Sequence, residues 1–332
     1  MSTARSTPNI ALIKYWGNVN DALRLPANSN LAMTLDAPYV DITVTQADAF
    51  SVTSHNKIMK EKDTIRLQQT LVLMEQYLST IHYPLSFLLS SVSIEIDSHI
   101  PPSIGLASSA AVFSALAKAI AALVDGDLTD EQISVMARLG SGSAARSIFG
   151  GFVALSNQRM NELTNAIDAC VAKEIAPPEH WPLHDIIIVP DSKEKTVGST
   201  EGHANAWTSP HYRARVEAIN NRRQSECIEA ILSKDFEKLQ VVAEEDCMDM
   251  HHCMQTQNPP LEYLSDDTYR IINDITALRK AEHLPVLYTM DAGPTVHLFC
   301  TDESAKRVCE FAHAQEGCTI FETGVGRGAF LL

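Results

Sequence analysis

The chain has 332 residues, 45% hydrophobic and 20% charged, a globular composition long enough for two domains or one large α/β unit. Its 26 Lys and Arg stand against 41 Asp and Glu, a formal charge of −15 that argues against nucleic acid or anionic membranes as partners. That charge also repels phosphorylated ligands, so a phosphate site here has to be local, built from backbone N–H groups and a few fixed cations.

In chain order, Met1 to Pro8 is polar and carries no apolar signal core. Asn9-Ile-Ala-Leu-Ile13 reads as a short apolar strand, and Val40, Ile42 and Val44 alternate with Asp41, Thr43 and Thr45 as a half-buried strand. Helical periodicity covers 67–81, and Val92 to Asp97 alternates as a strand. Pro101 and Pro102 hold the next segment out of helix until Gly105, and an alanine-rich helix runs from Ser108 or Ser109 to about Leu123. The apolar stretch Leu106 to Val124 is interrupted by Lys118 and rich in Ala and Ser, so it predicts a buried helix and not a membrane span.

Thr129-Asp-Glu-Gln132 is a capping box whose helix stops at Gly140-Ser-Gly-Ser143, where a further short helix starts. Gly151 to Leu155 and Asp185 to Val189 read as strands, the second as a central one. A boundary near 182–195 divides the chain into 1–185 and 186–332. Beyond it, helical patterns dominate from about His211 to Lys280, broken at Pro259-Pro260. Strands return at Val286 to Met290 and Val296 to Cys300, followed by a helix over about Glu303 to Ala314 and a strand near Thr319. Seven scattered cysteines without paired spacing predict reduced thiols and a cytoplasmic location.

Four segments can carry chemistry. Pro101 to Ala111 joins a strand to a helix, with Gly105 for a tight turn, free N–H groups at the helix start, and the Ser108 and Ser109 hydroxyls for a phosphate oxygen or Mg²⁺. No Gly-Lys-Ser/Thr follows, so it is not a Walker A loop, and the same residues would also serve as plain helix caps. Gly140-Ser-Gly-Ser-Ala-Ala-Arg146 is a second anion cradle with a guanidinium one turn behind it, or a surface turn. Asp291 ends an apolar strand ahead of Ala-Gly-Pro294, as a cleft carboxylate or an acid that shapes the turn. Lys14 and Tyr15 follow the first apolar strand and can face a substrate. Cys247, His251 and Cys253 have loose zinc-like spacing but read better as core residues.

Together these runs resemble the diphosphomevalonate decarboxylases of the GHMP kinase superfamily. The matching runs are Asn9-Ile-Ala-Leu-Ile-Lys-Tyr-Trp-Gly17, Leu25-Pro-Ala-Asn-Ser29, Gly105-Leu-Ala-Ser-Ser-Ala110, Arg138-Leu-Gly-Ser-Gly-Ser-Ala144 with Arg146-Ser147, and Asp291-Ala-Gly-Pro294. Weaker likeness covers Val197 to Arg213 and Glu245 to His251. The resemblance implies an α+β, GHMP-kinase-like two-domain fold, ribosomal S5 domain 2-like and then ferredoxin-like. It further implies ATP and Mg²⁺, a homodimer, and a small phosphorylated hydroxy-acid substrate. The implied reaction phosphorylates a tertiary 3-hydroxyl, then releases phosphate and CO₂ to leave an alkene.

The implied roles are specific. Ser103, Gly105, Leu106, Ala107, Ser108 and Ser109 cradle the nucleotide, with Ser109 near the metal. Asp291 takes the hydroxyl proton, Lys14 offsets negative charge, and Arg146, steadied by Asn9, holds the substrate carboxylate. Ser141, Gly142, Ser143, Tyr15, Ser199 and Thr200 hold the 5-phosphate group. Two positions depart from the family pattern: Asn18 stands where a lysine is usual, and Thr295 where asparagine is usual. Arg24, Lys193 and Lys195 are nearby cations able to compensate. The alternatives are a phosphomevalonate decarboxylase making isopentenyl phosphate, a small-molecule kinase of the superfamily, and a non-catalytic sensor.

Overall fold

The structure is a computed structural model that describes residues 1–55, 59–101, 108–124, 127–157, 166–190 and 198–332. Its first sheet has the order β15 (Phe330–Leu331), β1 (Ser2–Ser6), β6 (Val40–Gln46), β8 (Val92–Ser98), β7 (Ser51–Ser54), antiparallel except where β7 runs with β8. The expected alternation in β6 holds: Val40, Ile42 and Val44 are buried and pair with Ser98, Ile96 and Ile94. The polar N-terminus forms β1, an element composition did not signal, because alternate residues Ala4 and Ser6 turn inward. β15 returns to pair with β1, so the last residues of the chain belong to the first sheet.

The second sheet runs β10 (Val171–Ala176), β9 (Phe152–Ser156), β5 (Asn30–Thr34), β2 (Asn9–Ile13). β2 and β5 are buried along their whole length, which accounts for the unalternating apolar run Ile10 to Ile13. A ribbon of β3 (Asn18–Asn20) and β4 (Leu25–Pro26) joins them. α2 (Ser108–Leu123) and α3 (Asp130–Gly140) pack on these sheets, and α1 (Glu61–Thr80) packs on α3. α2 buries Ala110, Ala111, Leu116 and Ile120, its small residues allowing close approach to β1 and β6, and turns Phe113 to the end of α3 at Gly140. Burying Leu116 or Ile120 contributes about 1.5–3 kcal/mol each. The capping box of α3 forms as read, Thr129 accepting from the Gln132 amide and Gln132 reaching back.

The third sheet is β12 (Val286–Thr289), β13 (Val296–Cys300), β11 (His184–Pro190), β14 (Cys318–Gly324), with β11 interior as expected. One face, with Ile186, Ile188, Val296 and Leu298, packs against α8 (Asp266–Glu282) and α9 (Asp302–His313). The opposite face sends Ile187, Leu287 and Phe299 into the cluster that also holds Ile10, Leu12 and Leu31. The two halves therefore share one core, and Lys14, just past β2, meets Asp291, just past β12. Between them lie α4 (Ser199–Ala204), α5 (Tyr212–Ala218), the π-helical turn Ile219–Arg223, α6 (Gln224–Ser233) and α7 (Phe236–Thr256). Among the described residues no helix is long and apolar enough to cross a membrane.

Candidate active site

Lys14 leaves the end of β2 and is 1% exposed. Its Nζ donates to Asp291 Oδ1 at 2.8 Å, and Asp291 retains 28% side-chain exposure at the end of β12. Burial works against the charge on Asp291. The Lys14 ammonium, by charge and hydrogen bond, with His297 and Arg146 behind it, nonetheless leaves the carboxyl below its ordinary value. The main chain of Lys14 is fixed separately. Its N–H donates to Asp246 Oδ2 at 2.6 Å, and its carbonyl accepts from Asn28 Nδ2 at 2.9 Å and Arg215 Nη2 at 3.3 Å. Asp246 and Arg215 are fully buried and bond each other at 3.0 Å, with Arg223 also donating to Asp246.

Arg146, 2% exposed, lies in the 3₁₀ turn Gly142–Ile148. Asn9 Oδ1 accepts from its Nε at 3.2 Å and its Nη2 at 3.0 Å, and Asn30 Oδ1 accepts from Nη1. Asn9 is itself oriented by donating to Ser143 O at 3.0 Å and Ser147 Oγ at 2.8 Å. Burial pushes the guanidinium down to about 10, while the charge of Asp291 acts the other way. Among the described residues no carboxylate bonds Arg146, so a buried cation is held by two amides and lacks a bonded counter-ion. A ligand carboxylate near Asp291 would supply one.

The two serine segments meet. Ser109 Oγ lies 3.1 Å from Ser141 Oγ, which lies 3.2 Å from Ser143 Oγ. Ser108 opens α2, whose first turn holds no acidic residue, a setting that favours anions. A Cβ at Gly140 would come 2.0 Å from the Phe113 ring, and one at Gly142 2.4 Å from the Tyr15 ring, so both positions require glycine. Tyr15 stacks on His203 with centroids 4.4 Å apart and donates its hydroxyl to Asn18 Oδ1. His203, half-buried and pushed down to about 3 by desolvation, accepts from Gly17 N–H at 2.9 Å and so ties α4 to the Lys14–Gly17 segment. Ser199 and Thr200 lie in the backbone of that helix. Ser103, Gly105, Leu106, Ala107, Lys193 and Lys195 lie outside the described residues.

Asn30, Asp246, Arg215 and His203 belong to this site and sequence reading did not single them out. His203 and Asp246 lay only within the stretches of weaker likeness, and the polar run Asn28-Ser-Asn30 opening an otherwise apolar buried strand was the signal for Asn30. Cys247 and Cys253 enter different packing clusters, and no metal-holding group of three or more His, Cys, Asp or Glu occurs among the described residues.

A family model described as the diphosphomevalonate decarboxylase-like N-terminal domain matches residues 6–166, and one for the mevalonate 5-diphosphate decarboxylase C-terminal domain matches 185–320. A diphosphomevalonate decarboxylase of Ganoderma lucidum is 34% identical over 325 residues, covering 93% of this chain and 80% of that protein. The chain belongs to the diphosphomevalonate decarboxylase family. Two solved structures of that family carry the likeness into three dimensions. One, described as MDDEF in complex with MVAPP, AMPPCP and magnesium, has a TM-score of 0.87 at 30% identity, covering 100% of this chain and 98% of its own. The other, mevalonate diphosphate decarboxylase from Staphylococcus aureus, has 0.87 at 29%, covering 100% and 97%. The expected GHMP-kinase-like two-domain α+β fold is thereby borne out, and the family is one of ATP-requiring carboxy-lyases.

Proposed function

We propose that the chain decarboxylates 5-diphosphomevalonate to isopentenyl diphosphate, with ADP, phosphate and CO₂ as the other products, after phosphorylation of the 3-hydroxyl. The observation that carries this reading is the Lys14–Asp291 pair beside Arg146, a buried guanidinium with no bonded carboxylate. A kinase needs the base but not the clamp, and a sensor needs neither.

ATP with Mg²⁺ supplies the phosphoryl group that makes the tertiary hydroxyl a leaving group. The start of α2 with Ser108 and Ser109 fits nucleotide phosphates, and Ser109 also fits the metal. Ser103, Gly105, Leu106 and Ala107 are part of the same proposal. Asp291 accepts the hydroxyl proton on a carboxylate oxygen, and Lys14 keeps that carboxylate ionised and faces the charge that develops on the substrate. Arg146 orients the substrate carboxylate and does not chiefly stabilise it, since that group loses its charge as CO₂ departs. Tyr15, Ser141, Gly142, Ser143, Ser199 and Thr200 hold the 5-phosphate end. A homodimer in the cytoplasm belongs to the same proposal on the family likeness.

One observation favours 5-phosphomevalonate as a second reading. Asn18 brings no cation to the tail, and its amide donates to Asp21 at 2.8 Å while accepting from Tyr15. The test is CO₂ release from each substrate with ATP and Mg²⁺. Asp291→Asn should fold and bind ATP yet lose about 10²–10⁴ in turnover, because an amide cannot take the proton. Near-normal turnover in that variant would overturn the assignment.

A further inference from the structure

The tail end of the site combines a missing cation with a displaced one. At position 18 the side chain is neutral and both ends of its amide are engaged, by Tyr15 and by Asp21. Six residues on, Arg24 occupies a left-handed turn at φ 49°, its N–H bonded to Asp21 O at 3.3 Å. Side chains other than Gly, Asn and Asp seldom adopt that conformation, and residues held in it cluster at functional sites. The turn folds the Arg24 side chain back onto the second cradle, where Nε donates to Leu139 O at 3.1 Å. Leu139 is two residues from Ser141, and the charge of Arg24 reaches the Tyr15 hydroxyl and the His203 ring.

A second guanidinium shares this corner. Arg66 donates through Nε and Nη2 to Gly140 O at 3.2 and 2.8 Å and lies over the Phe113 ring at 4.7 Å, so two of its three nitrogens are committed to the protein. Arg24 is not committed in that way. It forms no ion pair within the described residues, and no described acceptor meets its Nη1 or Nη2. Two half-buried guanidinium groups placed within electrostatic reach of each other repel, and an anion between them relieves the repulsion. Asp21, the one carboxylate acting on Arg24, is exposed and engaged by Asn18.

We infer that Arg24 is the specificity-determining cation for the terminal phosphate of the substrate, standing in from the β3–β4 turn for the charge that position 18 lacks. The inference rests on the proposed function, since it assigns the phosphorylated tail to the Tyr15–Ser141 end of the site. A charged hydrogen bond to phosphate corresponds to about ten- to a hundredfold in affinity.

The experiment compares the unmodified protein with Arg24→Gln, Arg24→Lys and Asn18→Lys/Arg24→Gln. KM and kcat are measured for 5-diphosphomevalonate, 5-phosphomevalonate and ATP, with pyrophosphate binding by calorimetry and Tm alongside. Arg24→Gln should raise KM for the phosphorylated mevalonate by about ten- to a hundredfold, with kcat falling less and KM for ATP within twofold. Arg24→Lys should keep most of the affinity, and moving the cation to position 18 in the double variant should restore part of it. A lower Tm with KM and pyrophosphate affinity unchanged would reduce Arg24 to a cap on the carbonyl end of α3 and overturn the inference. If the unmodified protein releases no CO₂ but binds pyrophosphate in an Arg24-dependent way, the proposed function fails and the phosphate role of Arg24 stands. Pyrophosphate binding indifferent to Arg24 in that case overturns both.

Discussion

Replacing Lys14 by methionine tests the central pair directly. Methionine keeps the length and apolar stem of the side chain and removes the ammonium 2.8 Å from Asp291. An opposite charge at that distance lowers a carboxyl pKa, and together with His297 and Arg146 it outweighs the burial of Asp291 here. Without it, burial acts on Asp291 with only His297 and Arg146 opposing, so the pKa rises and the acid limb of kcat/KM moves to higher pH. The stability linkage has the matching sign. A depressed carboxyl stabilises the fold above its unfolded value, about 3.9, and that contribution is lost as pH falls through the folded value. Lys14→Met removes it.

Breaking a buried ion pair costs about 3–5 kcal/mol. The 28% exposure of Asp291 places this pair toward the low end. On the upper plateau of the pH profile the fall in kcat, about 10²–10³-fold, reports the missing cation opposite the developing charge. The assay is CO₂ release from pH 5 to 9, with Tm measured across the same range. An unmoved acid limb together with a kcat within threefold of the unmodified protein would refute the reasoning.

Ser109→Ala removes the hydroxyl that meets Ser141 at 3.1 Å, and turnover should fall by about ten- to a hundredfold while ATP affinity changes by less than threefold. Unchanged turnover would reduce Ser109 to a helix-start residue. Arg146→Gln should cut CO₂ release by about 10²-fold and spare ATP affinity, because the group it orients is the substrate carboxylate. The variant should also lose about 1–3 kcal/mol of stability in denaturant titration, from the amide oxygens of Asn9 and Asn30 left without their donor. A loss of nucleotide affinity with CO₂ release intact at saturating ATP would assign Arg146 to the wrong ligand.

Much of the fold was legible because its signals are local. The alternation of β6 and β8 and the capping box of α3 are each written within a few residues. β1 was not legible. Ser2–Ser6 has no run of large apolar residues and becomes a strand because β6 and β15 offer it partners, which are tertiary facts. The site divides in the same way. Lys14, Asp291 and Arg146 stand beside chain-local markers such as strand ends and a Gly-Ser turn. Asp246 and Arg215 stand mid-helix, and Asn30 on a buried strand, and only packing brings them to Lys14 and Arg146.

The hidden residues explain why the legible ones work. Lys14 lies at the tip of a strand in the N-terminal half and its counter-ion at the tip of a strand in the other half, so their 2.8 Å contact depends on how the halves pack. Two fixtures set that packing. Ile187, Leu287 and Phe299 join the core of Ile10, Leu12 and Leu31, which resists small displacements because interiors are close-packed. Asp246 and Arg215, both from the C-terminal half, hold the N–H and the carbonyl of Lys14, so the lysine's main chain moves with the half that carries Asp291. The buried Asp246–Arg215–Arg223 cluster contributes little net stability by itself, since its desolvation offsets its attraction. Its value is directional: it fixes where the Lys14 side chain begins, and burial of that side chain fixes where the ammonium ends. A base that must meet one hydroxyl, beside a clamp that must meet one carboxylate, needs that registration between halves more than it needs any single strong contact.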